Sequence, residues 1–282
     1  MQQTIRVTTN DERYALITDV AFANVPHWYG KTRRNLYMDL ITPINAGGSP
    51  RPCVLFFCGG AYMTVSHSLW LPELYYYAQN GFIAATAEYR TSNEAQFPAQ
   101  LIDVKSAVRY LKAHAAEYGI DPDRIFIMGE SAGGTLASLA GATSKDTQYD
   151  IGDNLEFSSS VCGVIDYYGQ TLLTDDSCII NGDKIPDWTM RAFVGENMEF
   201  AAEASVLNHI DADTPPFMII HGTVDQIVPL AQSEMLYEKL TASGVQAEFL
   251  KVENAIHGDG ILYQPEVRKR ILAFMKQIMA KQ

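Results

Sequence analysis

The sequence predicts an α/β fold, with a mostly parallel central sheet, helices on both faces and a small cap inserted late in the chain. Three observations carry this. Short apolar runs suited to buried strands alternate with helix-patterned segments from residue 53 to the end, the order that builds parallel sheets covered on both sides. The 282 residues are 47% apolar and 19% charged, which suits one large-cored globular domain over 1–282. The chemistry-bearing motifs all fall just after expected strands, where ligands bind in open parallel sheets.

Each element follows from its local pattern. Residues 4 to 45 read as an antiparallel β start, because ALITDVAFA and RRNLYMDLITP carry β-branched and aromatic residues. Pro43 to Pro52 is a Gly/Pro/Asn turn. PCVLFFCGG is a buried strand ending in glycines, LWLPELYYYAQNG a helix closed by Gly81, and FIAATAEYR the next strand. FPAQLIDVKSAVRYLKAHAAEYG places Leu101, Val104, Val108 and Leu111 at helical spacing and stops at Gly119, so it reads as one helix. DPDRIFIMG is a strand, followed at once by a small-residue helix. SSSVCGVIDYYG is a further strand. The alternation breaks over about 170–214, where WTMRAFVG and EFAAEASVLNHI suggest short helices of a cap. PPFMIIHG, SEMLYEKLTASG, VQAEFLKV and PEVRKRILAFMKQIM restore strand, helix, strand, helix.

The segment Gly129-Glu130-Ser131-Ala132-Gly133, between a strand and a helix, is the nucleophile-elbow pattern. A serine on so tight a turn is strained, and side chains at the flanking positions would meet backbone. The helix beyond it aims free N–H groups and a positive dipole end at the hydroxyl. A serine hydroxyl still needs a base within reach and a carboxylate to orient that base. Of six histidines, His257 alone lies downstream of a good acid, in the loop VENAIHGDG before the last helix. His221 ends a strand and reads as a structural hydrogen-bonder, and His114 as a surface residue within a helix. For the acid, Asp225 in HGTVDQIVP is favoured over Asp166, Glu253 and Asp259, although a turn aspartate ahead of the next helix would look the same. Backbone donors for a developing oxyanion would come from Ala132 and from the glycine loop Cys58-Gly59-Gly60-Ala61-Tyr62.

A formal charge of −12 argues against nucleic acid and anionic membranes as partners. The N-terminus lacks a basic-then-apolar leader and no run approaches a membrane span, so a cytoplasmic location is expected. The four cysteines show no metal-like spacing: Cys53 and Cys162 read as small buried hydrophobes, and Cys178 has no evident role. No HExxH or Cys/His cluster is present, so neither metal nor cofactor is expected.

With CGGAY, EYR at 88–90, the long helix leading into GESAGG, PPFMIIHGTVDQIVP and AIHGDG, residues 30 to 280 resemble the α/β-hydrolase superfamily. More narrowly they resemble its hormone-sensitive-lipase-like and bacterial feruloyl and acetyl (xylan) esterases. The resemblance implies the α/β-hydrolase fold and hydrolysis of carboxylic esters through an acyl-enzyme. Ser131 would be nucleophile, His257 base then acid, and Asp225 the orienting carboxylate. Gly60, Ala61 and Ala132 would hold the oxyanion. Cys58 stands where the family's oxyanion loop usually begins with a bracing histidine, and a thiol is a poor substitute donor. Thr135 likewise replaces a frequent histidine.

Tyr62, His67 and Trp70 past the oxyanion loop, and Tyr167, Tyr168, Trp188 and Phe193 near the cap, are the candidates to line a substrate pocket. Core packing is the competing reading for each aromatic. The expected reaction is cleavage of short acyl esters, acetyl or feruloyl, on plant-derived oligosaccharides. The alternatives are small lipophilic esters and, in another class, a non-catalytic binding protein of the same fold. A peptidase of this fold ranks low because no propeller-like repeats are present. The expected partner is the ester substrate itself, with a homodimer as an option.

Overall fold

A computed structural model describes residues 1–8, 12–28, 30–44, 48–173, 179–180, 183–184, 187–196 and 198–281, without side chains between 179 and 189. The chain opens with an antiparallel pair, β1 (Tyr14–His27) and β2 (Thr32–Pro43). Residues 4–8 and 12–13, expected to begin a strand, carry no regular element. β3 (Arg51–Phe57) follows, then α1 (Leu71–Gln79) and β4 (Ile83–Ala87).

The segment expected as one helix is two: α2 (Ala99–Ala113) and the single turn α3 (Ala115–Tyr118). The break is at His114, whose ring stacks on Tyr110 at 4.2 Å and whose Nδ1 lies 3.0 Å from Glu117. Gly119, at φ +70, then turns the chain into β5 (Ile120–Glu130), as a left-handed glycine after a helix does. α4 (Ala132–Ala142) and β6 (Gly163–Tyr167) complete the central unit. The region after β6 holds a two-residue pair, β7 (Ile179–Ile180) with β8 (Asp183–Lys184), then α5 (Asp187–Val194) and α6 (Ala201–Ala204). β9 (Phe217–Gly222), α7 (Leu230–Ala242), β10 (Ala247–Val252) and α8 (Pro265–Met279) close the fold.

Eight strands form one sheet in the order β1-β2-β4-β3-β5-β6-β9-β10. β2 pairs antiparallel with both β1 and β4, and every other pairing is parallel. Successive side chains of a strand point to opposite faces, and here both faces are covered. Leu55 and Phe57 of β3, with Ile125 and Ile127 of β5, pack under α2, α4 and α7. Val54 and Phe56, with Phe126 and Met128, pack under α1 and α8. That double burial is why these strands read as unbroken apolar runs. Truncating one such side chain to alanine costs about 2–5 kcal/mol.

Asp39, Asp19 and His67 meet at the β1–β2 edge, with ligand-capable atoms within 4.8 Å of one another. The Asp39 oxygens already accept the Asp19 amide (2.9 Å) and the Ser68 hydroxyl (2.6 Å), so the trio is accounted for as a corner tying residues 67–68 to the sheet. Among the described residues no helix is long and apolar enough to cross a membrane.

Cys53, Cys58 and Cys162 are free and buried. Cys178 lies outside the described residues. Burial pushes the Cys58 thiol up to about 11 and the Cys162 thiol up to about 12, and raises Cys53 further. Thiolate is the reactive form. Peptide mapping after iodoacetamide treatment at pH 8 should therefore find these three unmodified in the native protein and alkylated in denaturant. Rapid native labelling of Cys58 would contradict its burial.

Candidate active site

β5 runs into α4 with one residue between them, Ser131, at φ +53 and ψ −121. A non-glycine residue held there is strained by about 1–3 kcal/mol. The neighbours explain why no looser turn fits. A Cβ at Gly133 would lie 2.1 Å from the Phe57 carbonyl oxygen, and one at Gly129 would lie 2.2 Å from the Gly133 oxygen. Two backbone bonds hold the turn: the Ser131 amide donates to Tyr167 O at 2.9 Å, and Ser131 O accepts the Thr135 amide at 3.0 Å.

The structure brings Ser131, His257 and Asp225 together. Ser131 Oγ is 3.0 Å from His257 Nε2, and His257 Nδ1 is 2.7 Å from Asp225 Oδ2. An Nδ1–H donating to the carboxylate leaves Nε2 free to accept the serine proton. Loop packing produces this arrangement. Gly222 ends β9 so close to the His257 loop that a Cβ would sit 2.3 Å from Ala255 O. Val224 N then donates to that same oxygen (3.2 Å), and Asn254 N to Thr223 Oγ1 (2.9 Å).

Asp225 is also the turn aspartate its sequence context allows. Its Oδ1 accepts the Ile227 and Val228 amides at 2.8 and 2.9 Å. His221, fully buried, lies 3.3 Å from Oδ2 and is pinned by Ser233 Oγ and Val228 O at 2.7 and 2.9 Å, the structural role read from sequence. Burial pulls the Asp225 carboxyl up, but hydrogen bonds from His221, His257 and the Ile227 amide outweigh it and hold it well below the usual carboxylate range. The competing acids are occupied elsewhere. Asp166 is buried, with Oδ1 taken by the Gly169 amide (2.9 Å), and Asp259 caps its own turn through Ile261 N (3.1 Å).

The glycine loop after β3 lies beside Ser131. Gly60 (φ +128), Ala61 (φ 53) and Tyr62 (φ 61) all have left-handed backbone. Ala61 and Ala132 line the same cleft as Ser131, and Gly60 does not. As the first residue of α4, Ala132 has an amide with no intrahelical partner.

The brace that Cys58 cannot supply comes from two other residues. The Gly59 amide donates to the Glu130 carboxylate, and the Tyr89 hydroxyl donates to Cys58 O at 2.9 Å. Sequence reasoning passed over Glu130, although an acid directly before the nucleophile was a visible signal. Burial raises its carboxyl, opposed by the Gly59 amide, the nearby His257 and the Tyr168 hydroxyl. Tyr168 also sets its ring edge against His257 at 4.6 Å and bonds Tyr263 through its hydroxyl.

Of the expected pocket residues, Tyr62 lines the cleft. His67, Trp70 and Tyr167 are not brought there. His67 faces Asp39 (3.4 Å) and Glu88 (3.6 Å), while Trp70 and Tyr167 pack on Tyr263 at 4.5 and 5.0 Å. Packing won for these side chains, as it does for most aromatics. Trp188 sits on α5 with its side chain outside the description. Gln170, Met190 and Val228 line the cleft and were not foreseen, because they arrive from the segment after β6 and from the turn after Asp225.

Three similarities bear on this site. The chain is 33% identical over 217 residues to the probable carboxylic ester hydrolase LipM of Mycobacterium tuberculosis, covering 75% of this chain and 50% of that one. It spans about half the length of the curated relatives it matches. A truncated carbohydrate esterase from gut microbiota superposes with a TM-score of 0.79 at 26% identity, over 96% of this chain and 98% of that one. Thermogutta terrifontis esterase 2 phosphonylated by sarin superposes with a TM-score of 0.74 at 27% identity, over 87% and 91%. The BD-FAE family model matches residues 38–240, from β2 through the elbow and Asp225 into α7, and the chain belongs to this family of α/β-hydrolase esterases.

Proposed function

We propose that the chain is a serine carboxylesterase that cleaves short acyl esters, acetyl or feruloyl, from plant-derived oligosaccharides through an acyl-enzyme. The observation that carries the reading is the continuous path from Ser131 Oγ through His257 to Asp225, at 3.0 and 2.7 Å, beside a cleft lined by Ala61 and Ala132.

His257 Nε2 takes the Ser131 proton as Oγ bonds to the ester carbonyl carbon. The carbonyl electron pair moves onto oxygen, where the Gly60, Ala61 and Ala132 amides receive the charge. Collapse of this adduct breaks the bond to the alkoxy oxygen, and the alcohol leaves with the proton from His257. Water then repeats the sequence on the acyl-enzyme, releasing the carboxylic acid and restoring Ser131. Asp225 stays ionised throughout and holds the Nδ1–H.

Two features support a sugar as the alcohol. The loops flanking His257 are open, with Val224 45% and Ile256 50% exposed, so a large alcohol has room to leave. A truncated form of a carbohydrate esterase shares the architecture over 98% of its solved chain.

The first test is a mass spectrum of acetylated and feruloylated xylo-oligosaccharides after incubation. Acetyl or feruloyl mass should be lost with the wild type and retained with Ser131→Ala. A fluorophosphonate should add one phosphonyl group to the Ser131 peptide and none to the variant. Turnover that survives Ser131→Ala would overturn the mechanism.

Asp225→Asn should lower kcat about 10³–10⁴-fold, as loss of the orienting carboxylate does. Its effect on stability has a definite sign. A carboxyl depressed by folding stabilises above the ordinary carboxylate range of about 4 and loses that contribution as pH falls towards its folded value. The gap in urea midpoint between wild type and Asp225→Asn should thus be widest near pH 7 and narrow by pH 3. An equal gap at both would remove the depressed carboxyl from the account. Glu130→Gln keeps an oxygen for the Gly59 amide and loses the charge. Steady-state kinetics should show kcat falling about tenfold with KM little changed, less than the cost of deleting an oxyanion donor.

A further inference from the structure

We infer that the cleft beside Ser131 is an acyl site sized for about two to four carbons, so that acetyl esters are substrates and feruloyl esters are not. The inference rests on the serine-esterase reading above and narrows it.

The position of His257 identifies the cleft. The leaving oxygen must come within hydrogen-bond reach of Nε2 to be protonated. The carbonyl oxygen must lie on the Ala61 and Ala132 amides. The cleft is lined by Ser131 and those two alanines but not by His257. The group that enters it is therefore the one on the far side of the carbonyl from the alcohol, the acyl chain.

Burial separates the mouth of the cleft from its depth. Its mouth carries the exposed Ala61 and Ile227. Its depth is walled by Thr135 (0% exposed), Tyr62 (3%), Met190 (4%) and Val228 (5%). The free volume is about 70 Å³. An apolar cavity of about 150 Å³ takes a bare benzene ring. A feruloyl group needs a ring with two substituents plus a rigid two-carbon linker, and this cleft has about half the space for the ring alone.

The wall does not yield easily. The Tyr62 ring lies flat on Phe193, with centroids 3.8 Å apart and planes within 2°. Phe193 is fully buried, meets Phe97 edge-on at 5.7 Å, and accepts the Phe97 amide on its carbonyl at 2.8 Å. Swinging Tyr62 aside would open that three-ring stack. Met190 is the flexible apolar side chain of the wall, and so the residue that sets chain length.

The test uses 4-nitrophenyl esters, which share one leaving group so that only the acyl part varies. For the wild type, kcat/KM should be highest on acetate to butyrate, fall at least about tenfold by hexanoate, and be at least about 100-fold lower on the feruloyl ester than on acetate, in the range that pocket size imposes. Met190→Ala should raise the hexanoate-to-acetate ratio about tenfold. If that variant does not fold, the wild-type series decides alone. Ser131-dependent cleavage of the feruloyl ester at a rate like that of acetate would overturn the acyl-site inference and leave the esterase reading intact. A folded Met190→Ala with an unchanged ratio would remove Met190 from the wall. No turnover of any ester, or equal turnover by Ser131→Ala, would instead overturn the esterase reading and this inference with it.

Discussion

The Phe57 carbonyl is the fixed point of the site. α4 begins so close to it that a Cβ at Gly133 would sit 2.1 Å away. From that contact the turn at Ser131 must be tight, with φ +53. The chain leaving Phe57 is the glycine loop itself, so one backbone contact positions both the hydroxyl and the loop beside it. Glu130, the last residue of β5, then reaches across to the Gly59 amide and ties the two a second time. Left-handed backbone at Ser131, Ala61 and Tyr62 costs about 1–3 kcal/mol at each. Strain of that size persists only where the surroundings over-determine the conformation, and here the strands on either side are buried on both faces.

Two carboxyls near His257 are shifted in opposite directions by the same physics. Both lose water. Asp225 regains more than it loses, because Oδ1 takes two backbone amides and Oδ2 faces two imidazoles. Glu130 has the Gly59 amide and the Tyr168 hydroxyl, and burial prevails. The pair divides the work. A firmly ionised carboxylate against Nδ1 would favour the imidazolium formed in the proposed proton transfer from Ser131. Glu130 acts on the loop instead, through the Gly59 amide that donates to it.

The fold, and the three side chains that meet at Ser131, His257 and Asp225, were legible in the sequence because each lies in a recognisable local segment. Strands buried on both faces must be apolar throughout, and a turn against backbone must carry glycine at Gly129 and Gly133. What was illegible is non-local. The role of Glu130 depends on Gly59, which lies 71 residues away in the chain. The cleft wall joins Tyr62, Met190 and Val228 from three separate segments. His67, Trp70 and Tyr167 sit near the motifs in sequence, yet proximity in sequence does not say which face of the sheet a side chain takes. The split at His114 was hidden because the apolar spacing of α2 carries no signal for where a helix must turn into the next strand.

The two halves of the site differ in how freely they can change. The wall of the cleft belongs to the core: Tyr62 rests on Phe193, and Phe193 on Phe97. Removing such a ring costs about 3–5 kcal/mol, a large share of the stability of a domain. The loops after β9 and β10, which carry Asp225 and His257, instead present exposed residues, among them Val224 and Ile256. Substitutions at such positions stay within about 0.5 kcal/mol. A chain built this way can exchange one alcohol for another at almost no cost to folding. The acyl preference proposed for it would be held in place by the same packing that holds the sheet to its helices.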